Sequence, residues 1–111
     1  MDIIIGESRF TALLSDNSTS EAFRKLLPLT LNMIELNKNE KYAELSVSLP
    51  TNAKNPGTIH TGDILLWGDN TLVIFYKTFS TSYSYTRIGA IEQPAQLAEV
   101  LGKGNVTVSL E

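Results

Sequence analysis

Ile64-Leu65-Leu66-Trp67-Gly68-Asp69-Asn70-Thr71-Leu72-Val73-Ile74-Phe75-Tyr76 is the stretch on which the fold turns. Two nearly continuous apolar runs flank Gly68-Asp69-Asn70-Thr71. Gly, Asp and Asn tolerate the positive φ that a tight turn between antiparallel strands demands, so the stretch predicts a β-hairpin. A strand with one wet face alternates apolar and polar residues; these two runs do not. Both of their faces must therefore be covered. The hairpin is expected at the centre of the fold, with the interior on one side and a helix or loop on the other.

Outward from it, period-two alternation recurs. It is seen at Phe10, Ala12 and Leu14, at Leu29, Leu31 and Met33, at Leu45, Val47 and Leu49, and at Val106, Val108 and Leu110. Ile3 to Ile5 is β-branched, and Tyr85 to Ile91 completes eight strands, with a bulge or tight bend expected at Gly89. Two helices interrupt them. Ser18-Thr19-Ser20-Glu21 reads as a capping box ahead of Ala22, Phe23, Leu26 and Leu27, and Pro28 closes that helix. Gln93-Pro94 opens the second, with Leu97, Ala98 and Leu101 as its buried stripe and Gly102 as its stop. The predicted order is two strands, a helix, five strands, a helix and a last strand. That suits a closed, mainly β barrel whose open ends two short helices cap; an open sandwich is the rival.

The 111 residues fit one domain, taken as 1–111. A net charge of −3 and basic residues scattered no more densely than Arg24-Lys25 argue against a nucleic-acid partner and against a polybasic membrane patch. The absence of cysteine removes disulfides, thiol catalysis and Cys-zinc sites. Gly102-Lys103-Gly104 follows a helix instead of opening one, so it is no phosphate loop. No cofactor or metal is expected. Met1-Asp2-Ile3-Ile4-Ile5-Gly6 reads as a first strand, not a signal peptide, which makes the cytoplasm the default compartment.

Ile88-Gly89-Ala90-Ile91-Glu92, leading into a helix through Leu97, Val100 and Leu101, resembles the closing segment of cyclophilins. The early helix with Phe23, Leu26 and Leu27 resembles their first helix. Nearly the whole chain is similar to small prokaryotic cyclophilin-like proteins of largely unassigned function. The stretches that carry this are Asp16-Asn17, Ala22-Phe23, Leu27-Pro28, Glu40-Lys41-Tyr42, Leu49-Pro50-Thr51-Asn52, Gly62-Asp63-Ile64, Leu66-Trp67-Gly68, Phe75-Tyr76-Lys77 and Tyr83 to Gly89. The resemblance implies a cyclophilin-like barrel. It does not carry over the isomerase reaction: cyclophilins use an arginine just after a Phe-His pair, and this chain has no arginine between Arg24 and Arg87. A shared fold does not by itself transfer a reaction.

The segment Tyr76 to Arg87 offers most for binding. Tyr76, Phe79, Tyr83 and Tyr85 supply apolar walls, serines and threonines supply polar points, and Arg87 supplies a cation. His60 is the sole histidine, more readily a backbone-bonded loop residue than a ligand. Asp63 is a turn former, and three-residue spacing would set it and His60 on opposite faces of a strand. Trp67 belongs to the core hairpin, or offers its indole N–H if it lies near the barrel mouth. Glu35, Lys38, Glu40, Lys41 and Lys54 read as solvated loop charges. The candidate ligand-binding set is thus Tyr76, Phe79, Tyr83, Tyr85, Arg87, His60 and Trp67. The leading expectation is a module that binds a peptide or small apolar ligand, with a divergent prolyl isomerase as the alternative.

Overall fold

The computed structural model describes residues 1–111. Eight antiparallel strands close into a barrel: β1 (Asp2–Ile5), β2 (Ser8–Leu14), β3 (Leu29–Leu36), β4 (Glu40–Glu44), β6 (Asp63–Trp67), β7 (Thr71–Phe75), β9 (Thr86–Ile91) and β10 (Val106–Leu110). Around the barrel the order is β1-β10-β3-β4-β7-β6-β9-β2, so β2 returns to β1 and no edge is left. Two further strands, β5 (Thr58–Ile59) and β8 (Phe79–Ser80), form a separate ribbon. The helices are α1 (Ser18–Arg24) and α2 (Leu97–Leu101), the latter entered through a 3-10 turn at Pro94–Gln96.

The central hairpin behaves as its composition demands. Ile64, Leu66, Leu72 and Ile74 point inward and join Ile3, Phe23, Met33, Leu97, Val108 and Leu110 in the main core. Leu65, Val73 and Phe75 point outward and are buried a second time, under Ile59 of the ribbon and beside Tyr42, Phe79 and Tyr85. The outer cover is therefore the ribbon and its flanking chain, not a helix.

Three local expectations are corrected. Leu45, Val47 and Leu49 form no strand; the barrel strand in that place is β4, one segment earlier. β7 begins at Thr71, so beyond Glu44 the chain has no partner on that side, and its pairing with β3 has already ended at Tyr42. The chain bends across the hairpin turn instead, with the Leu45 and Leu49 amides donating to the Asn70 and Asp69 carbonyls. Leu45 and Leu49 still enter the core, so their spacing reported burial correctly and conformation wrongly. The last barrel strand before α2 starts at Thr86; Tyr85 precedes it in a bridge with Lys54.

The third correction concerns the helices. The N-cap of α1 is Asn17, not Ser18: the Asn17 side chain accepts from the Ser20 amide at 2.7 Å. α1 also ends at Arg24, and Leu26 and Leu27 follow in tighter turns whose amides reach the Phe23 and Arg24 carbonyls. In α2, Ala98 is exposed while Leu97 and Leu101 are buried. Asn17 has a second task, donating to the Arg87 carbonyl at 2.9 Å. Losing both contacts, Asn17→Ala should lower stability by about 1–2 kcal/mol in a denaturant titration, whereas Ser18→Ala should change it by a few tenths.

β9 carries the bulge expected at Gly89. Ile64 pairs with Gly89 and Leu65 with Arg87, so Ile88 is the extra residue. Its freed carbonyl accepts from the Ser15 amide and from Ser20 Oγ, both at 2.7–2.8 Å. The bulge thereby anchors α1 on the barrel, and the buried Ile88 side chain fills the core.

Candidate functional site

The outer face of β4 reads Glu40, Tyr42, Glu44, because alternate residues of a strand share a face. β4 runs beside β7, whose outer face is Thr71, Val73 and Phe75. Across this floor, the chain from Phe79 to Tyr85 and the exposed end of β6 at Trp67 raise a wall. The result is a groove of about 680 Å³ lined by Glu40, Tyr42, Trp67, Phe79, Tyr83 and Tyr85, among others. That volume suits a small-molecule site.

The wall is a continuous run of ring contacts. Tyr83 meets Trp67 edge-on with centroids 5.5 Å apart, and Trp67 meets Tyr85 at 5.5 Å. Tyr85 meets Phe75 edge-on at 5.6 Å, and Phe75 meets Phe79 at 5.9 Å. Edge-to-face pairs at these spacings are favourable beyond the area they bury, so the rings hold one another in place. Trp67 is nevertheless 46% exposed and Tyr83 is 61% exposed. Trp67 is thus part of the groove and not of the core, because it stands on the outward face at the very end of β6.

Of the seven candidate residues, the fold brings Trp67, Phe79, Tyr83 and Tyr85 together in this groove, and Tyr76, His60 and Arg87 are not among its lining residues. The Arg87 guanidinium faces Asp63 Oδ1 at 3.5 Å. Asp63 Oδ2 accepts from the His60 amide at 2.9 Å and lies 3.9 Å from His60 Nδ1. The loop geometry brings His60 and Asp63 to one side, which strand spacing would not have done. With His60 69% exposed, this is an open turn closed by a carboxylate.

Tyr76 belongs to a buried polar cluster at the end of the barrel interior. Lys41 is fully buried and donates to Glu35 Oε1 at 3.0 Å, to the Gly102 carbonyl at 2.8 Å and to the Gly104 carbonyl at 2.6 Å. Tyr76 donates to the same Glu35 oxygen at 2.6 Å, and the Lys41 ammonium lies 5.4 Å from the centre of its ring. Burial alone would raise the Glu35 carboxyl, but the donors from Tyr76, Lys41 and the Lys38 amide together hold it below its usual range. Burial, and then the hydrogen bond to Glu35 and its charge, push the Tyr76 phenol well above its ordinary value. The cluster ties β3, β4 and the segment after β7 to the loop that follows α2.

Glu40 and Lys41 are accordingly not solvated loop charges. They are neighbours on one strand with opposite faces: Lys41 turns inward to Glu35, and Glu40 turns outward into the groove. Glu40 is 8% exposed. Burial pushes its carboxyl up to about 7, the nearby Glu35 charge adds to this, and no donor within the chain offsets it. Every fully buried side-chain polar atom of the protein has a partner, so the unpaired Glu40 oxygens are those that touch the groove space. Sequence reading missed this residue because charge beside a turn normally means solvent. The available signal was the period-two spacing of Glu40, Tyr42 and Glu44.

An eight-stranded closed antiparallel barrel with two short helices and an aromatic groove on its outer face defines the class of protein. Residues 3–111 match the cyclophilin-like family, and the chain belongs to that family. No curated protein and no solved structure matches it. No helix is long and apolar enough to cross a membrane.

Proposed function

We propose that this protein is a binding module that holds a small ligand with an apolar body in the groove between β4 and the Phe79–Tyr85 chain. The observation that carries the reading is the linked set Tyr83, Trp67, Tyr85, Phe75 and Phe79, in which the exposed rings of Trp67 and Tyr83 are backed by half-buried Tyr85 and, behind it, buried Phe75. Rigid aromatics lose little side-chain freedom when a ligand arrives, so more of the contact energy appears as affinity. An apolar wall with a few polar fixtures is also the usual make-up of a small-molecule site.

Prolyl isomerisation is the second reading, and the geometry favours it less. Its one candidate donor, Arg87, is turned to Asp63, and the groove itself contains no arginine or histidine. A donor aimed at the twisted amide is what that reaction needs.

One NMR titration addresses both. Isotope-labelled protein is titrated with small aromatic and aliphatic fragments and with short proline peptides. Fragment-induced shifts should cluster at Tyr42, Trp67, Phe79, Tyr83 and Tyr85. Trp67→Ala should weaken the fragments about tenfold or more, the loss typical of a buried aromatic anchor. Shifts scattered away from these residues would remove the groove reading. Accelerated cis–trans exchange in the peptides, lost in Arg87→Ala, would install the isomerase instead.

A further inference from the structure

The groove has one sign of charge. Its only ionisable acids and bases at neutral pH are Glu40, in the floor, and Glu44, further along the same strand face; no lysine, arginine or histidine lines it. Its remaining polar lining is neutral, from Asn37, Asn39, Thr71 and Ser80 to Ser82. Around these acids stand five rings: Tyr42, Trp67, Phe79, Tyr83 and Tyr85. Aromatic faces attract cations, and the attraction strengthens as water is excluded. Glu40 is more than nine-tenths buried, has no partner within the chain and fronts the groove. A carboxyl group so placed, largely removed from water and with no cation of its own chain beside it, gains most from a positive charge brought into the groove.

From these observations we infer that the groove is selective for a small organic cation, an ammonium group carried on an apolar or aromatic body, with Glu40 as its countercharge and Trp67, Tyr83 and Tyr85 as its cage. The inference rests on the reading of the groove as a ligand site and names the ligand class. A neutral ligand would bring Glu40 no countercharge, and an anion would face both glutamates with no basic group to offset them. The groove volume, about 680 Å³, is that of a small-molecule site, so the occupant assigned is a free amine, and a lysine-bearing peptide is an outcome of the test.

Binding is coupled to a proton at Glu40. The charged and titratable groups facing it are Glu35 on β3, Tyr76 after β7, Tyr85 before β9, and Tyr42 and Glu44 on its own strand. The Glu35 charge disfavours a second anion at Glu40, although Glu35 is itself paired with Lys41 on the inner side of the strand. An arriving ammonium reverses that balance, so the Glu40 carboxyl releases its proton as the cation binds. Affinity therefore rises with pH until Glu40 is already ionised in the free protein, near 7. It should be about tenfold weaker at pH 6 than at pH 8.

The test uses four matched probes: phenethylammonium, its N,N,N-trimethyl analogue, phenethyl alcohol and phenylacetate. Binding is read from the fluorescence of Trp67, the sole tryptophan, and from amide shifts. The two cations should bind about tenfold or more tightly than the alcohol, and the carboxylate should bind least. Glu40→Gln, nearly isosteric and neutral like the protonated acid, should erase both the preference and the pH dependence. Alcohol binding as tight as the ammonium, at the same residues, would overturn the inference and leave the groove reading standing. Unchanged ammonium affinity in Glu40→Gln would overturn it too, as would silence with all four probes. A capped lysine tripeptide that outbinds phenethylammonium would replace the small molecule with a peptide. Failure of the groove itself is read separately, from the fragment titration.

Discussion

Replacing Lys41 with methionine should cost about 3 kcal/mol or more, the largest loss foreseen for a single change of a polar residue in this protein. Methionine keeps the length and the apolar stem of the lysine and removes only the ammonium. Three acceptors then lose their donor: Glu35 and the carbonyls of Gly102 and Gly104. Breaking one side of a buried ion pair costs about 3–5 kcal/mol, because the remaining charge is left without compensation. Glu35 keeps some contact with water and its bond from Tyr76, which places the estimate at the lower end. Urea unfolding at neutral pH measures the loss. Adding Glu35→Gln should recover about 1 kcal/mol, since an uncharged amide no longer demands the missing cation. A Lys41→Met protein as stable as the parent would mean that the cluster is dispensable.

The same cluster has a pH signature. The folded-state pKa of Glu35 is depressed below 4.5, so its contribution is fully present above the unfolded value and is lost as pH falls through the folded one. Lys41→Met should therefore flatten the acid limb of the stability curve. Glu40 acts in the opposite sense. Its folded pKa is raised to about 7, so its contribution is greatest below 4.5 and declines as pH rises towards 7. That slope is common to parent and variant, and the difference between their curves in acid isolates Glu35.

Gly89→Ala should be similarly damaging, for a steric reason. A Cβ at position 89 would run into the Leu13 carbonyl oxygen, a backbone atom of the strand that pairs with it. The backbone of Gly89 is not in the left-handed region, so the requirement is for space and not for an unusual dihedral. Leu13 cannot retreat without loosening the pairing of β2 with β9, and that pairing belongs to the closed ring. The bulge at Ile88, which seats Ser20 of α1, lies next to it. Overpacking typically costs about 1–3 kcal/mol, and an opposing backbone atom that cannot rotate away puts this site at the upper end, about 3 kcal/mol. In a domain of this size the midpoint of thermal unfolding should fall by roughly 10–20 °C. By contrast, Gly104→Ala meets open space and should leave the midpoint nearly unchanged. Equal behaviour of the two variants in a thermal scan would sink the steric account.

Most of the barrel was legible in the sequence. Two continuous apolar runs around Gly68-Asp69-Asn70 required a hairpin covered on both faces, and the core and the ribbon cover it. The helix interruptions and the glycine of the bulge were legible for the same reason, since each is a local demand of backbone geometry. Leu45 to Leu49 shows the limit. Alternation reports which side chains are buried, and both leucines are; whether the chain stays alongside its neighbour or bends away across the hairpin turn is not a local property.

The site was legible only in part. Aromatic residues between Tyr76 and Arg87 marked the right segment, and Phe79, Tyr83 and Tyr85 meet Trp67 there. Tyr76 and Arg87, first and last of that segment, went to other partners, Glu35 and Asp63. The sequence by itself determined the closed β architecture, the hairpin, the two helix interruptions and the need for a second cover, because these follow from apolar periodicity and turn chemistry within short windows; β4 it placed one segment too late. Only the tertiary structure decided what two adjacent residues, Glu40 and Lys41, would do. A strand sends neighbouring side chains to opposite faces, and the closure of the barrel turned one face into a sealed interior, where Lys41 is paired, and the other into a groove, where Glu40 is not.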